Sequence, residues 1–247
     1  MVFFCIVFMA QAETDYVKML HDVDELVTFK GTDLSAEYEI VKQDPDGSSS
    51  TTVAAMFRRD STEQFLVLVL QPVADKGKGY LKIGNNLWLY DPVGRGFTFT
   101  NAKERFQNSS FRLSDFTGSN YSVNYEIVST KEEKLGKFDC TVFNLKAITN
   151  NVSFPQVKIW VDTENLVRKI EDYSLSGQLM RTSAIPSYQK VRDRWVPSKI
   201  IIQDQLVFRK IGDKTRYERT TVTIKNPSLN KQPDSLYTKE YLEKVNR

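Results

Sequence analysis

The sequence predicts a mainly β protein: a single strongly curved antiparallel sheet, an incomplete β-barrel of about ten or eleven strands, with an N-terminal helix and short helices covering an apolar cavity. Three observations lead there. The run Phe65 to Leu70 reads FLVLVL and does not alternate, so both of its faces need cover. Apolar segments recur with hairpin turn signals between them, as at Asp46-Gly47, Gly84-Asn85-Asn86, Gly136, Asp162 to Asn165 and Gly212-Asp213. Aromatic pairs two residues apart, Trp88 with Tyr90 and Phe97 with Phe99, put bulky groups on one side of neighbouring strands.

Taken in order, Glu13 to Lys30 follows a helical period, with Tyr16, Met19, Leu20, Val23 and Val27 on one stripe and Gly31 as its stop. The polar side mixes Lys18, Asp22 and Glu25, so the stripe is expected to pack on the protein's own sheet. Strands follow at Ala36 to Lys42, Thr52 to Arg59, Phe65 to Gln71, Gly77 to Ile83, Leu87 to Tyr90 and Phe97 to Phe99. Asn101 to Phe106 reads as a short helical turn, and Gln107 to Asn120 as a long loop holding Phe111, Leu113 and Phe116, which must pack as a lid or a plug. The second half gives strands at Val123 to Thr130, Phe138 to Ala147, Val157 to Val161, Leu166 to Tyr173, Trp195 to Phe208 and Thr215 to Lys225, with Gln178 to Lys190 less clearly marked. Leu236 to Val245 reads as a helix presenting Tyr237, Tyr241 and Val245.

At 247 residues, 40% hydrophobic and 26% charged, the chain is globular, and no internal linker or low-complexity tract divides it. Its net charge of +3 is spread among interspersed acids and bases, so no nucleic-acid partner is expected, and the chain is read as a monomer. Residues 1–12, MVFFCIVFMAQA, are too short to span a membrane as a helix and end in Ala10-Gln11-Ala12, a signal-peptidase pattern. The run lacks a basic start, which fits either a signal peptide truncated at its beginning or an atypical signal. Cleavage after Ala12 would export the rest to a periplasm; retention would leave it membrane-associated. Cys140 is then the one remaining cysteine, a buried free thiol rather than half of a disulfide.

The residues that chemistry would need are scarce. His21 is the only histidine, which removes Ser/His/Asp, Cys/His and multi-His metal sites. Gly77 to Gly84 lacks the spacing of a phosphate loop. Glu37 with Glu39 and Asp162 with Glu164 read as a solvated strand face and a turn. The expectation is a protein that is not an enzyme and holds no metal or cofactor.

With these elements in place, the chain resembles the LolA-like outer-membrane lipoprotein-sorting proteins. The resemblance rests on Leu70-Gln71-Pro72, on Leu87-Trp88-Leu89-Tyr90-Asp91-Pro92 and on Leu113-Ser114-Asp115-Phe116, and extends over residues 13–247. It implies a lidded half-barrel in the periplasm, a carrier that binds the acyl chains of lipoproteins or lipids in an apolar cavity. The partners would be an inner-membrane transporter and an outer-membrane acceptor. The family's basic residue at the end of the strand before the apolar one matches Arg59, with Arg58 its near alternative, as a polar anchor. Here Asp60 stands where a proline would follow, and the chain is longer at its C-terminal end. The bottom-up reading concurs on the physics and assigns the cavity lining to Phe57, Phe65, Val67, Val69, Trp88, Tyr90, Phe97 and Phe99, subject to strand parity. A second reading on the same fold is an envelope module that senses a ligand or binds a protein.

Overall fold

A computed structural model describes residues 16–246. The predicted signal segment, its cleavage site after Ala12, Cys5 and the start of the first helix lie outside the described residues. Among the described residues thirteen strands form, all antiparallel to the neighbours with which they pair, so the expected mainly β class holds with a somewhat higher strand count. The strand expected at Phe97 to Phe99 forms as β6, and the less clearly marked stretch after Gln178 forms β11, where Pro186 sits at a break in register between Ala184 and Ser187. Proline cannot donate to a ladder, and the bulge accommodates it.

The chain divides into two units. The smaller takes residues up to Thr28 and Ser119–Leu179. Its helix α1 covers residues 16–26, with Leu20 and Val23 buried and His21 exposed, as the stripe requires. It ends several residues before the expected Lys30: the Thr28 hydroxyl donates to the Asp24 carbonyl at 2.7 Å, and Val27 N–H turns back onto the same oxygen. The Asp24 carboxylate then accepts from the backbone N–H groups of Tyr121 (3.0 Å) and Ser122 (2.8 Å), which seats the four-residue helix α2, Tyr121–Asn124, where a strand start was expected. Four strands follow in order: β7 (Tyr125–Leu135), β8 (Phe138–Ala147), β9 (Gln156–Asp162) and β10 (Val167–Tyr173). Tyr16 of α1 meets Phe143 of β8 edge-on at 6.0 Å. On the other face Trp160 packs with Cys140 and Val142, and its indole donates to Glu133.

The larger unit takes Phe29–Gly118 and Met180–Arg247. Its strands are β1 (Leu34–Gln43), β2 (Ser49–Arg59), β3 (Gln64–Gln71), β4 (Gly79–Ile83), β5 (Asn86–Asp91), β6 (Gly96–Thr100), β11 (Leu179–Val191), β12 (Arg194–Ile211) and β13 (Lys214–Ser228). They lie in the order β6-β5-β4-β3-β2-β1-β13-β12-β11, so β1 sits between its hairpin partner β2 and the distant β13. This array is open and curled. Arg105 reaches Asp204 on β12 while its neighbour Phe106 packs on Tyr80 of β4 at 5.2 Å. Those strands are five places apart, about 24 Å if the sheet were flat, farther than two adjacent side chains can span.

The predicted final helix is broken in two. A 3-10 turn, Asp234–Tyr237, is followed by helix α3, Lys239–Val245, with Thr238 capping α3 by accepting from Tyr241 N–H. The break rotates the buried face from the expected Tyr237, Tyr241 and Val245 to Leu236, Tyr237 and Leu242, leaving Val245 42% exposed.

Candidate functional site

The register of the larger unit assigns each side chain to one of two apolar faces. On one, Tyr38, Met56, Phe65, Val67, Val69, Tyr80 and Leu87 meet Val222 and Ile224 of β13 and Ile202 of β12. On the other, Leu66, Leu81 and Tyr90 meet Leu236, Tyr237 and Leu242, with Phe57, Trp88 and Phe97 packed around them. The unalternating run of β3 is thus covered twice, by different parts of the chain.

The first face is occupied by the segment between β6 and α2. Its Phe106, Phe111, Leu113 and Phe116 are essentially inaccessible to solvent. Phe116 stands 5.3 Å from the ring of Tyr38 and 6.1 Å from Phe65, with Phe111 and Phe106 edge-on to it at 4.9 and 5.0 Å. The segment is therefore a plug: its side chains take the space an apolar ligand would need. Burial among these groups pushes the Tyr38 phenol up to about 12, with Arg58 working weakly against it.

Charged contacts hold the plug at its rim. Arg181 on β11 donates twice to Asp115, both at 2.8 Å, and once to the Ser110 carbonyl at 3.1 Å. Arg105 pairs with Asp204 at 2.8 Å and with Glu218, which also accepts from the Ser110 hydroxyl at 2.5 Å. Ser110 N–H donates to Thr220 at 3.0 Å.

The two candidate anchors point to opposite faces, as adjacent strand residues must. Arg58 lies on the plugged side, paired with Asp60 (2.8 and 3.1 Å), stacked on Phe29 and 3.5 Å from the Phe116 carbonyl. Asp60 is what neutralises it, and it also accepts from Phe29 N–H at 2.7 Å. Arg59 lies on the other side. It grips Asp33 through two nitrogens (3.0 and 2.8 Å), Asp234 at 2.5 Å and the Gln232 carbonyl at 2.6 Å, and its guanidinium covers the Tyr237 ring. Burial works against the Asp33 carboxylate, yet hydrogen bonds from Arg59 and Gln232 N–H hold its pKa below the ordinary 3.8. Arg59 so fastens the segment before α3, and it borders an open polar cleft of about 520 Å³ lined also by Lys30, Gln64 and Lys231.

Of the predicted lining residues, Phe65, Val67 and Val69 face the plug. Phe57, Trp88, Tyr90 and Phe97 face α3, where Lys239 lies 4.4 Å above the Trp88 ring. Phe99 flanks Trp88 at 5.5 Å and is 75% exposed. Tyr38, Met56, Tyr80 and Leu87 complete the plugged face and were not singled out from sequence. The alternation in β1, Ala36-x-Tyr38-x-Ile40, carried that signal for Tyr38.

Among the described residues no helix is long and apolar enough to cross a membrane. No curated protein matches the sequence. Solved structures with the same fold include a LolA superfamily protein from Nitrosomonas europaea, 22% identical, with a TM-score of 0.75 over 91% of this chain and 97% of that one. A Vibrio parahaemolyticus domain named for outer membrane lipoprotein sorting is 17% identical, with a TM-score of 0.79 over 92% and 97% of the two chains. A DUF1329 family protein from Desulfovibrio piger is 14% identical, with a TM-score of 0.80 over the same shares. At these identities the likeness is one of fold. A protein-family model described as "Uncharacterized protein" matches residues 61–244. The chain belongs to that family, and its fold is that of the LolA-like lipoprotein-sorting proteins.

Proposed function

We propose that the protein is a periplasmic carrier without enzymatic activity or cofactor, which shields the acyl chain of a lipoprotein or lipid against the face now covered by Phe106, Phe111, Leu113 and Phe116. The observation that carries this reading is that the cover is a connecting segment of two short 3-10 turns outside the sheet ladder, held by ion pairs and hydrogen bonds at its rim. Such a segment can leave without unravelling the sheet.

The energetics suit loading and unloading. Withdrawing four large side chains costs roughly 6–12 kcal/mol of apolar burial, and inserting a palmitoyl-length chain returns about 12 kcal/mol at ~0.8 kcal/mol per methylene. The exchange is close to balanced, so a transporter and an acceptor at either membrane could drive it in opposite directions. Arg58, beside the Phe116 carbonyl, sits where it would lose a contact as the plug lifts.

Native mass spectrometry of protein purified from the envelope fraction, followed by denaturing lipid extraction, tests the proposal. A discrete added mass that resolves into acyl lipid or lipoprotein is the expected result. A bare chain that also takes up no fluorescent fatty acid, in the wild type and in Phe111→Ala, would overturn it.

A further inference from the structure

The hairpin at the far end of β12 and β13 does not belong to the body of the sheet. Pairing of β11 with β12 stops at Arg181 and Asp204, and pairing of β1 with β13 stops at Gln43 and Arg219. Beyond those points, among the described residues, the two strands pair only with each other, from Phe208 opposite Tyr217 to Ile211 opposite Lys214. The ladder is broken just before this by a bulge, where Asp204 accepts from the N–H groups of Leu206 (2.8 Å) and Val207 (3.2 Å). A bulge re-aims a ribbon, and this one starts where the lateral neighbours end.

Its composition differs from the rest of the chain. Residues 206–217 hold Arg209, Lys210, Lys214 and Arg216 against the single Asp213, a net of +3, equal to the formal charge of the whole protein. Among the described residues none of the four cations makes an ion pair; Asp46 on the β1–β2 turn is only within electrostatic reach of Arg209. Arg209 and Arg216 stand directly opposite each other, a like-charge pairing that weakens an isolated hairpin. Apolar groups are interleaved with these charges, and Phe208 and Ile211 are 52% and 42% exposed. Cations alone would be the ordinary protection of an unpaired strand edge. Ile211 shares its face of the ribbon with Arg209, Arg216 and Lys214, while Phe208 packs on Tyr217 on the reverse face. An exposed isoleucine beside an arginine pair is the opposite of protection, unless something anionic with an apolar layer beneath it covers them.

We propose that the β12–β13 hairpin is a docking element for the surface of an anionic phospholipid bilayer, with its cations at the headgroup phosphates and Ile211, which shares a face with Arg209, Lys214 and Arg216, at the boundary of the acyl region. Lysine and arginine near such a surface each contribute about five-fold in affinity, so the four together account for a several-hundred-fold preference over a neutral surface. The choice of a bilayer over another polyanion rests on the carrier reading, since a protein exchanging acyl chains must reach a membrane; the hairpin itself is separate from the plugged face.

The test is cosedimentation of the full chain with vesicles of phosphatidylcholine alone and of phosphatidylcholine mixed with phosphatidylglycerol. Binding is expected to the mixed vesicles only, to be lost in about 1 M salt where the screening length falls to ~3 Å, and to drop at least a hundred-fold when Arg209, Lys210, Lys214 and Arg216 are all replaced by Gln. Ile211→Ser is expected to weaken it further at equal charge. Replacing four lysines of the smaller unit, Lys131, Lys134, Lys137 and Lys146, by Gln controls for net charge and should leave binding near the wild-type level. Equal binding to both vesicles, or an unaltered four-Gln hairpin variant, would refute the proposal. So would binding to heparin with none to vesicles, which would reassign the ribbon to a polyanionic polymer. Fatty-acid uptake measured on the same variants keeps the two proposals apart: the hairpin changes should leave it intact, whereas failure of the carrier reading would abolish it in every protein alike.

Discussion

Replacing Arg181 with Leu separates the plug from the fold it closes. The substitution removes a two-pronged ion pair to Asp115 and a hydrogen bond to the Ser110 carbonyl, while Asp115 keeps the Arg112 N–H at 2.7 Å. Breaking a fully buried pair costs about 3–5 kcal/mol; Asp115 is 20% exposed and retains one donor, so about 2 kcal/mol is the better figure here. If the plug and an acyl chain compete for one face, that loss falls on the closed state alone. The apparent affinity for a fluorescent fatty acid then rises by up to ~30-fold, while the melting temperature of the empty protein falls by roughly 4–8 °C. Both are read by titration and thermal denaturation of the same preparations. A lower melting temperature with affinity unchanged or reduced would refute the reasoning, because it would make the plug part of the binding surface rather than its competitor.

Two further outcomes concern the face closed by α3. The pKa of Asp33 is depressed in the folded protein, so its contribution to stability is present above about pH 4 and is lost as pH falls through the folded value. Asp33→Asn should therefore cost about 3 kcal/mol at pH 7 and flatten the difference between melts taken at pH 7 and pH 3; an unchanged acid slope would show that Asp33 does not carry it. At Gly79 an added Cβ would lie 2.4 Å from Leu242 Cδ2, so Gly79→Ala should cost about 1–3 kcal/mol by urea denaturation. Combined with Leu242→Ala, which makes room, the loss should be smaller than the sum by at least ~0.5 kcal/mol, and strict additivity would mean that α3 does not bear on Gly79.

Much of this architecture was legible because turns leave local marks. Gly47, Gly136, Asn165 and Gly212, at the expected hairpin ends, all take positive φ, which glycine and asparagine adopt at little cost. The missing alternation in β3 announced two covered faces, and the apolar residues of the 107–120 loop announced that something must receive them. What covers each face was not legible, since that depends on contacts between residues far apart in sequence. The same lack of alternation hid the parity: in a strand buried on both sides, hydrophobicity cannot say which side is which, and only the register of Phe57 with Leu66 and of Trp88 with Phe99 places the aromatics beside α3. The break at Thr238 was within reach of sequence reasoning, because a threonine directly before KEYLEK is an N-cap signal, but the continuous period of Tyr237 and Tyr241 masked it.

The position of β1 between β2 and β13 also sets a timetable for synthesis. Residues 34–43 are made early, yet one of their two ladders waits for Arg219 to Ser228, and the second face of β3 waits for Leu242. At ribosomal speeds of 5–20 residues per second, the FLVLVL strand emerges roughly 10–30 s before its last cover exists. A nascent chain in that interval is unfinished, sticky and pliable, a suitable substrate for holding chaperones.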